Sequence, residues 1–244
     1  MRGILPSGYK KHRIWRGPLY GMRLVASWRD YPGALTGRTE RPLLDWFQRH
    51  VLPGQTWLDI GAHYGYTALA LSRSVGADGK VLAFEPVLAT AGCISQTRRL
   101  NHLPQLQIVP FALHDHSGLQ ISELPLVRGM ADSTVSGELE TVTFMEAGLD
   151  WLWYEVGLSR LAGNRMDGVK IDVQGMELRV LQGMRRCLRQ FRPKIVIELH
   201  AGVDRGQFRD LMRQSGYPTP GESVETGGIT QDYSDDCSYA FYPA

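Results

Sequence analysis

From residue 41 onward the apolar positions alternate between two rhythms. Leu43, Leu44, Phe47 and Val51 recur at the spacing of one helix face, which predicts a helix over residues 42–51. Pro53-Gly54 ends it, and Thr56-Trp57-Leu58-Asp59-Ile60 reads as a short buried strand. A glycine turn over 61–65, a helix over 66–74, a strand over 80–84, a helix over 87–100 and a strand over 106–112 continue the pattern. Then the rhythm loosens. Residues 119–124 and 140–144 are expected to pair as an antiparallel insertion, and 148–162 to form a helix. A strand over 169–173 follows. Met176, Val180, Met184, Leu188 and Phe191 then step along a helix face. A strand over 194–199, a short helix over 208–215 and a last strand over 238–242 complete the chain.

Strands alternating with helices predict an α/β fold, a mostly parallel sheet covered on both faces. Ligands bind such sheets beyond the carboxyl ends of the strands. That rule singles out Asp59, Glu85, residues 113–115, Asp172 and residues 198–200.

Composition narrows the class without naming a chemistry. The chain has 244 residues, 43% of them hydrophobic and 21% charged, an ordinary globular mixture. Its net charge of +2 does not by itself imply a polyanionic partner, and no apolar run is long enough to cross a membrane as a helix. Three dispersed cysteines, Cys93, Cys187 and Cys237, do not make a disulfide framework, and the expected compartment is the reducing cytoplasm. Residues 1–29 carry seven Lys and Arg and no acid. Residues 1–40 are therefore read as a basic segment that helps cover the site, and residues 41–244 as the catalytic domain.

The strongest chemical signal is Asp59-Ile60-Gly61-Ala62-His63-Tyr64-Gly65-Tyr66-Thr67, followed by Phe84-Glu85-Pro86. A strand, a glycine turn, a helix and a second strand ending in an acid make a layout that binds an adenosine-bearing cofactor. Gly61 and Gly65 let the backbone turn sharply, the helix start offers free amides, and Glu85 can accept from both ribose hydroxyls. A dinucleotide would bring its pyrophosphate against Asp59, and the glycines are not spaced G-x-G-x-x-G. S-adenosylmethionine carries no phosphate. Its ammonium and carboxylate suit an acid beside helix amides, with Thr67 on the carboxylate side.

These segments, with Gly17-Pro18-Leu19-Tyr20-Gly21, Gly37-Arg38-Thr39-Glu40, Val169-Lys170-Ile171-Asp172-Val173-Gln174-Gly175-Met176-Glu177 and Val196-Ile197-Glu198, resemble the FkbM-type S-adenosylmethionine-dependent methyltransferases over residues 17–200. The resemblance implies a Rossmann-like class I methyltransferase fold with a seven-stranded sheet. It also implies methylation of a hydroxyl oxygen on a small molecule or sugar. By that resemblance Asp59, Gly61, Ala62, His63, Tyr64, Gly65 and Thr67 line the methionine end of the cofactor, and Glu85 and Pro86 the ribose. Leu113 and Asp115 meet the adenine. Asp172, at a strand end, holds the cofactor ammonium, orients the acceptor or joins Glu198 in a conceivable divalent-metal site. An alcohol needs a base to lose its proton. His200, beside a strand end, is the expected base, with His63 second; no residue is assigned to a metal. His114 and His116 flank Asp115 in what reads as an exposed loop. Three departures from the family pattern are His63, Val87 and Gln174. A nucleic-acid methyltransferase and a non-catalytic binding module are the competing readings. Lack of an Asn- or Asp-Pro-Pro-aromatic motif opposes the first, and intact Asp59 and Glu85 oppose the second. The acceptor and the oligomeric state are not fixed by these residues.

Overall fold

The strand and helix segments assemble around one large sheet. A computed structural model describes residues 8–135 and 139–244. The first seven residues of the expected basic segment, Arg2 among them, lie outside the described residues. In chain order the elements are β1 (Lys10–Arg13), β2 (Arg23–Ala26), α1 (Pro32–Thr36), α2 (Arg41–His50), β3 (Thr56–Ile60), α3 (Tyr66–Val75), β4 (Lys80–Phe84) and α4 (Leu88–Leu100). Next come β5 (Leu106–Val109), β6 (Ala112–Leu113), β7 (Gln120–Val127), β8 (Met130–Ala131), β9 (Thr141–Ala147) and α5 (Leu149–Trp151). The chain closes with β10 (Gly168–Ile171), α6 (Glu177–Gln182), α7 (Arg185–Phe191), β11 (Lys194–Leu199), α8 (Arg205–Gln214), β12 (Gly221–Ser223), β13 (Ile229–Thr230) and β14 (Cys237–Phe241).

The main sheet has eight strands in the order β13-β12-β14-β11-β10-β3-β4-β5, one more than the seven expected. The five from β11 to β5 are parallel, and β14, β12 and β13 continue the sheet antiparallel. β3 is buried at every position because helices cover both faces. One face packs under α2, α3 and α4, through residues such as Leu44, Phe47, Leu69 and Ile94. The other packs under α6, α7 and α8, through Val180, Leu188 and Phe208.

The first of these cores also takes in Ile14, Leu19, Leu24, Val25 and Leu35. The N-terminal segment is therefore structured: β1 and β2 form an antiparallel hairpin that the apolar spacing did not predict. No helix of the described residues is long and apolar enough to cross a membrane.

Three expected elements break, each for a local reason. The strand over 106–112 divides at Pro110, which has no amide hydrogen to give the ladder; β6 leaves the main sheet and pairs in parallel with β9. The helix over 176–191 divides into α6 and α7 at Gly183, where the carbonyl of His114 approaches so closely that an added Cβ would lie 1.8 Å from it. The helix over 148–162 becomes α5, a π-helical turn over Leu152–Val156 and a short 3-10 turn after Gly157, whose φ of 85° ends the winding. The expected insertion is present: β7 and β9 pair antiparallel, with Ile121 opposite Met145.

Candidate active site

A cavity opens at the carboxyl ends of β3, β4, β10 and β11; it and its mouth, which is open to solvent, hold about 1320 Å³ free of protein atoms. Its floor is set by strand register. Lys170 lies opposite Asp59 across the parallel β10–β3 pair, so the two side chains share a face. A lysine in a buried strand needs partners. Lys170 Nζ donates to the Gly61 carbonyl at 3.0 Å and lies 3.3 Å from Asp59 Oδ1 and 3.4 Å from Asp172 Oδ2. Burial opposes its charge, but Asp59, Asp172, Glu40 and Glu198 together hold the ammonium above its ordinary range. Burial pushes Asp59 up; Lys170 and the Thr67 hydroxyl, which donates at 2.7 Å, pull it back.

The glycine turn is locked from both sides. Gly61 has φ 78°, and a Cβ there would lie 1.8 Å from the Asp172 carbonyl oxygen, so no side chain fits. His63 holds a left-handed backbone, φ 51°, uncommon for a residue with a side chain. Its N–H donates to Glu85 Oε2 at 2.7 Å, and its ring Nε2 lies 3.0 Å from the Arg128 carbonyl oxygen on the insertion. Burial lowers the ring to about 4, so it is neutral. Glu40, Arg128 and Gln174 also line the cavity with positive φ. Left-handed non-glycine residues store backbone strain and cluster at functional sites; half of those in the described chain are at this one cavity.

Glu85 lies at the end of β4. Its Oε1 accepts from the Val87 amide and the Thr90 hydroxyl, both at 2.9 Å. Each oxygen keeps lone pairs for a ligand. Burial raises this carboxyl to about 7.

At the far wall, burial and the neighbouring Asp172 and Glu40 push Glu198 up to about 8. Burial also raises Glu40, and Asp172 adds to it. Asp172 itself moves down: burial opposes ionisation, but Lys170 and His200 outweigh it.

The N-terminal segment closes one side, with Asp30, Tyr31 and Glu40 in the lining. Tyr64 explains how it is held. Its ring stacks on Tyr31, and its hydroxyl donates to Asp30 Oδ2 at 2.9 Å. The insertion closes another side through Leu124, Arg128, Met130 and Phe144, and Ser133 Oγ donates to the Gln174 carbonyl at 2.6 Å.

The expected site residues divide. Gly61, Ala62, His63, Thr67, Glu85, Pro86, Leu113 and Asp172 line the cavity. Asp59, Tyr64 and Gly65 are not in the lining; Asp59 acts through the lining residues Lys170 and Thr67, and Tyr64 through Asp30. Asp115 does not reach the lining, because its carboxylate is held 2.8 Å from Arg179 Nη1. His200 does not fit the expected role of base. It lies behind the wall, with Nδ1 2.6 Å from Glu177 Oε1 and Nε2 3.5 Å from Glu198 Oε1. Burial lowers it, but Glu177, Asp172 and Glu198 outweigh burial and raise it to about 9, so it is a cation at neutral pH. Asp172, Glu198 and His200 bring donor atoms within 4.8 Å of one another, but Lys170 and His200 already supply the cations there. Lys170 and Glu40 are lining side chains to which spacing gave no role, whereas Glu198 was singled out at its strand end. The available signal was a lysine inside an apolar strand run.

A parallel sheet with a glycine turn after one strand and an acid closing the next is the layout of the class I methyltransferase fold, which solved neighbours share. Within that class, the Methyltransferase FkbM domain matches residues 59–219, about two thirds of the chain, and the chain belongs to the FkbM methyltransferase family, whose methyl donor is S-adenosylmethionine. Among solved structures, the FkbM methyltransferase of Methylobacillus flagellatus KT aligns at a TM-score of 0.52 with 15% identity, over 88% of this chain and 54% of its own. The chain thus spans about half the length of that neighbour. Aeropyrum pernix fibrillarin, solved with natively bound S-adenosyl-L-methionine, aligns at 0.47 with 16% identity over 96% of this chain and 82% of its own. No curated protein sequence matches the chain.

Proposed function

We propose that this protein moves a methyl group from S-adenosylmethionine to a hydroxyl oxygen of a small molecule or sugar. The observation that carries this reading is the charge of the cavity. Asp30, Glu40, Glu85, Glu146, Asp172 and Glu198 line it, against Lys170 and Arg128; with Glu85 and Glu198 holding protons part of the time, acids still outnumber bases. Such a wall attracts a donor bearing a sulfonium and an ammonium and repels a pyrophosphate or a nucleic-acid backbone. The residues fit the donor: Gly61, Ala62 and His63 leave room at the methionine end, Asp172 faces the ammonium, Glu85 accepts from the ribose hydroxyls, and Leu113 borders the adenine. S-adenosylmethionine supplies an electrophilic methyl carbon when bound.

The chain's own task is to orient the acceptor and remove its proton. Glu198, with a pKa of about 8, is balanced between its acid and base forms near working pH, where a general base is most effective. It takes the role first given to His200. Behind it, His200 fixes its carboxylate by charge. The N-terminal segment and the insertion enclose the acceptor end and exclude water there.

The test is incubation with methyl-deuterated S-adenosylmethionine and a panel of sugars and polyhydroxylated metabolites, read by mass spectrometry. A labelled methyl ether, lost in Glu198→Gln while S-adenosylhomocysteine still binds, supports the reading. A label found only on nitrogen or carbon overturns it.

A further inference from the structure

We infer that His114, His116 and Glu146 form a binding site for a divalent transition-metal ion of the zinc type. His114 and His116 follow β6 on either side of a bend at Asp115, which brings their imidazoles together with ring centres 4.2 Å apart. β9 runs beside β6 with Glu146 opposite Ala112, which brings a carboxylate to the same place. Each of the three residues offers one donor atom, and these atoms lie within 4.8 Å of one another. His116 Nε2 and Glu146 Oε1 are 3.4 Å apart. Two ligands each about 2.1 Å from one tetrahedral ion have about this separation.

The surroundings are those of a metal site. Asp115 Oδ1 lies 2.6 Å from Nδ1 of His114 and 3.6 Å from Nδ1 of His116. One carboxylate, anchored by Arg179, therefore faces the Nδ1 side of both rings and leaves the Nε2 side for a ligand role. Ligating histidines commonly donate their second N–H to a carboxylate; Asp115 lies within reach of His114 Nδ1 but is not aligned with it, and at 3.6 Å it makes only a charge contact with His116. His114 is 9% exposed, and its Nδ1 has no aligned hydrogen bond in the protein. Ser122 Oγ fixes Glu146 Oε1 at 2.7 Å. Two imidazoles and one carboxylate leave a fourth tetrahedral position open. An ion here would pin the insertion to the edge of the sheet, beside the cavity that His114 and Glu146 also line.

The experiment uses the full chain stripped with a chelator. It is titrated with Co²⁺, followed by visible absorption, and with Zn²⁺, followed by calorimetry and thermal unfolding. One equivalent of each is expected to bind, with a rise in melting temperature. His116→Ala, at a partly exposed position, abolishes the cobalt spectrum and the rise. Asp115→Asn weakens binding by about 10–100-fold through lost orientation. Glu198→Gln, in the other cluster of donors, binds as the wild type does. Absence of binding by the wild type, equal affinity in His116→Ala, or loss in Glu198→Gln alone overturns the assignment.

Discussion

Replacing Lys170 with methionine tests the charge arrangement under the cavity floor. Methionine keeps most of the volume, so the perturbation is mainly electrostatic. Lys170 is 3% exposed and Asp59 is fully buried. The ammonium serves Asp59, Asp172 and the Gly61 carbonyl within 3.4 Å. Removing one partner of a buried ion pair costs about 3–5 kcal/mol, because the other charge stays buried without compensation. That is a large part of the ~5–15 kcal/mol that holds a domain folded. At about 2–4 °C per kcal/mol for a chain of this size, the midpoint falls by roughly 6–20 °C. Thermal unfolding by circular dichroism, run on the wild type, Lys170→Met, Asp59→Asn and the double variant, checks this. The double variant is expected to recover part of the loss, since no lone carboxylate remains at position 59. Acid should also narrow the deficit of Lys170→Met, because Asp59 can then take a proton. A midpoint within about 2 °C of wild type, or strictly additive losses in the double variant, would refute the idea that Lys170 neutralises Asp59.

Three further outcomes follow from the same geometry. If Glu198 removes the acceptor proton, the methylation rate climbs as pH rises through about 8 and then levels; Glu198→Gln removes that limb, and a flat wild-type profile contradicts the assignment. Glu85 and Glu198 are raised from 4.5 to about 7 and about 8, so the folded state holds protons that the unfolded state has lost, and stability declines as pH rises through that window. His200, raised from 6.5 to about 9, adds stability that is complete below 6.5 and lost as pH rises through about 9. Melting temperatures should therefore be lower at alkaline than at mildly acidic pH; an unchanged or rising midpoint counts against these shifts. Gly61→Ala forces a Cβ to within 1.8 Å of the Asp172 carbonyl, so calorimetry should find S-adenosylhomocysteine binding abolished; retained affinity would show that the turn can relax.

Much of the fold was legible because parallel strands buried on both faces are written as continuous apolar runs. Thr56–Ile60, Lys80–Phe84 and Lys194–Leu199 have the bounds that the pattern predicted. The glycine turn was legible for the same kind of reason, since the close approach at Gly61 admits no other residue. What was hidden depends on contacts distant in sequence. The break at Gly183 exists because of His114, and the two lie far apart along the chain. His200 looked like a base at a strand end; only the third dimension supplies Glu177, which makes it a cation. Glu40 enters the wall from an α2 N-cap position with φ 54°, a conformation that propensity does not anticipate for glutamate. The hairpin of β1 and β2 was masked by its charges, since lysine and arginine fill the exposed positions of a ribbon in which only Leu24, Val25 and Ala26 are core.

The packing of that hairpin bears on how such a protein can diversify. The family match begins at Asp59, yet Ile14, Leu24 and Leu35 share a core with α3 and α4, and Tyr31 and Glu40 complete the wall. A chain cut at residue 41 would keep every strand of the parallel sheet and still lose part of its recognition surface, while helices meant to be covered would face water. New acceptor preferences can then arise by exchange of the leading segment together with the β7–β9 ribbon, one piece from before the first parallel strand and one from the middle of the chain. Grafting either piece alone would leave a seam, because Tyr64 and His63, adjacent in the glycine turn, each hold a different one of them.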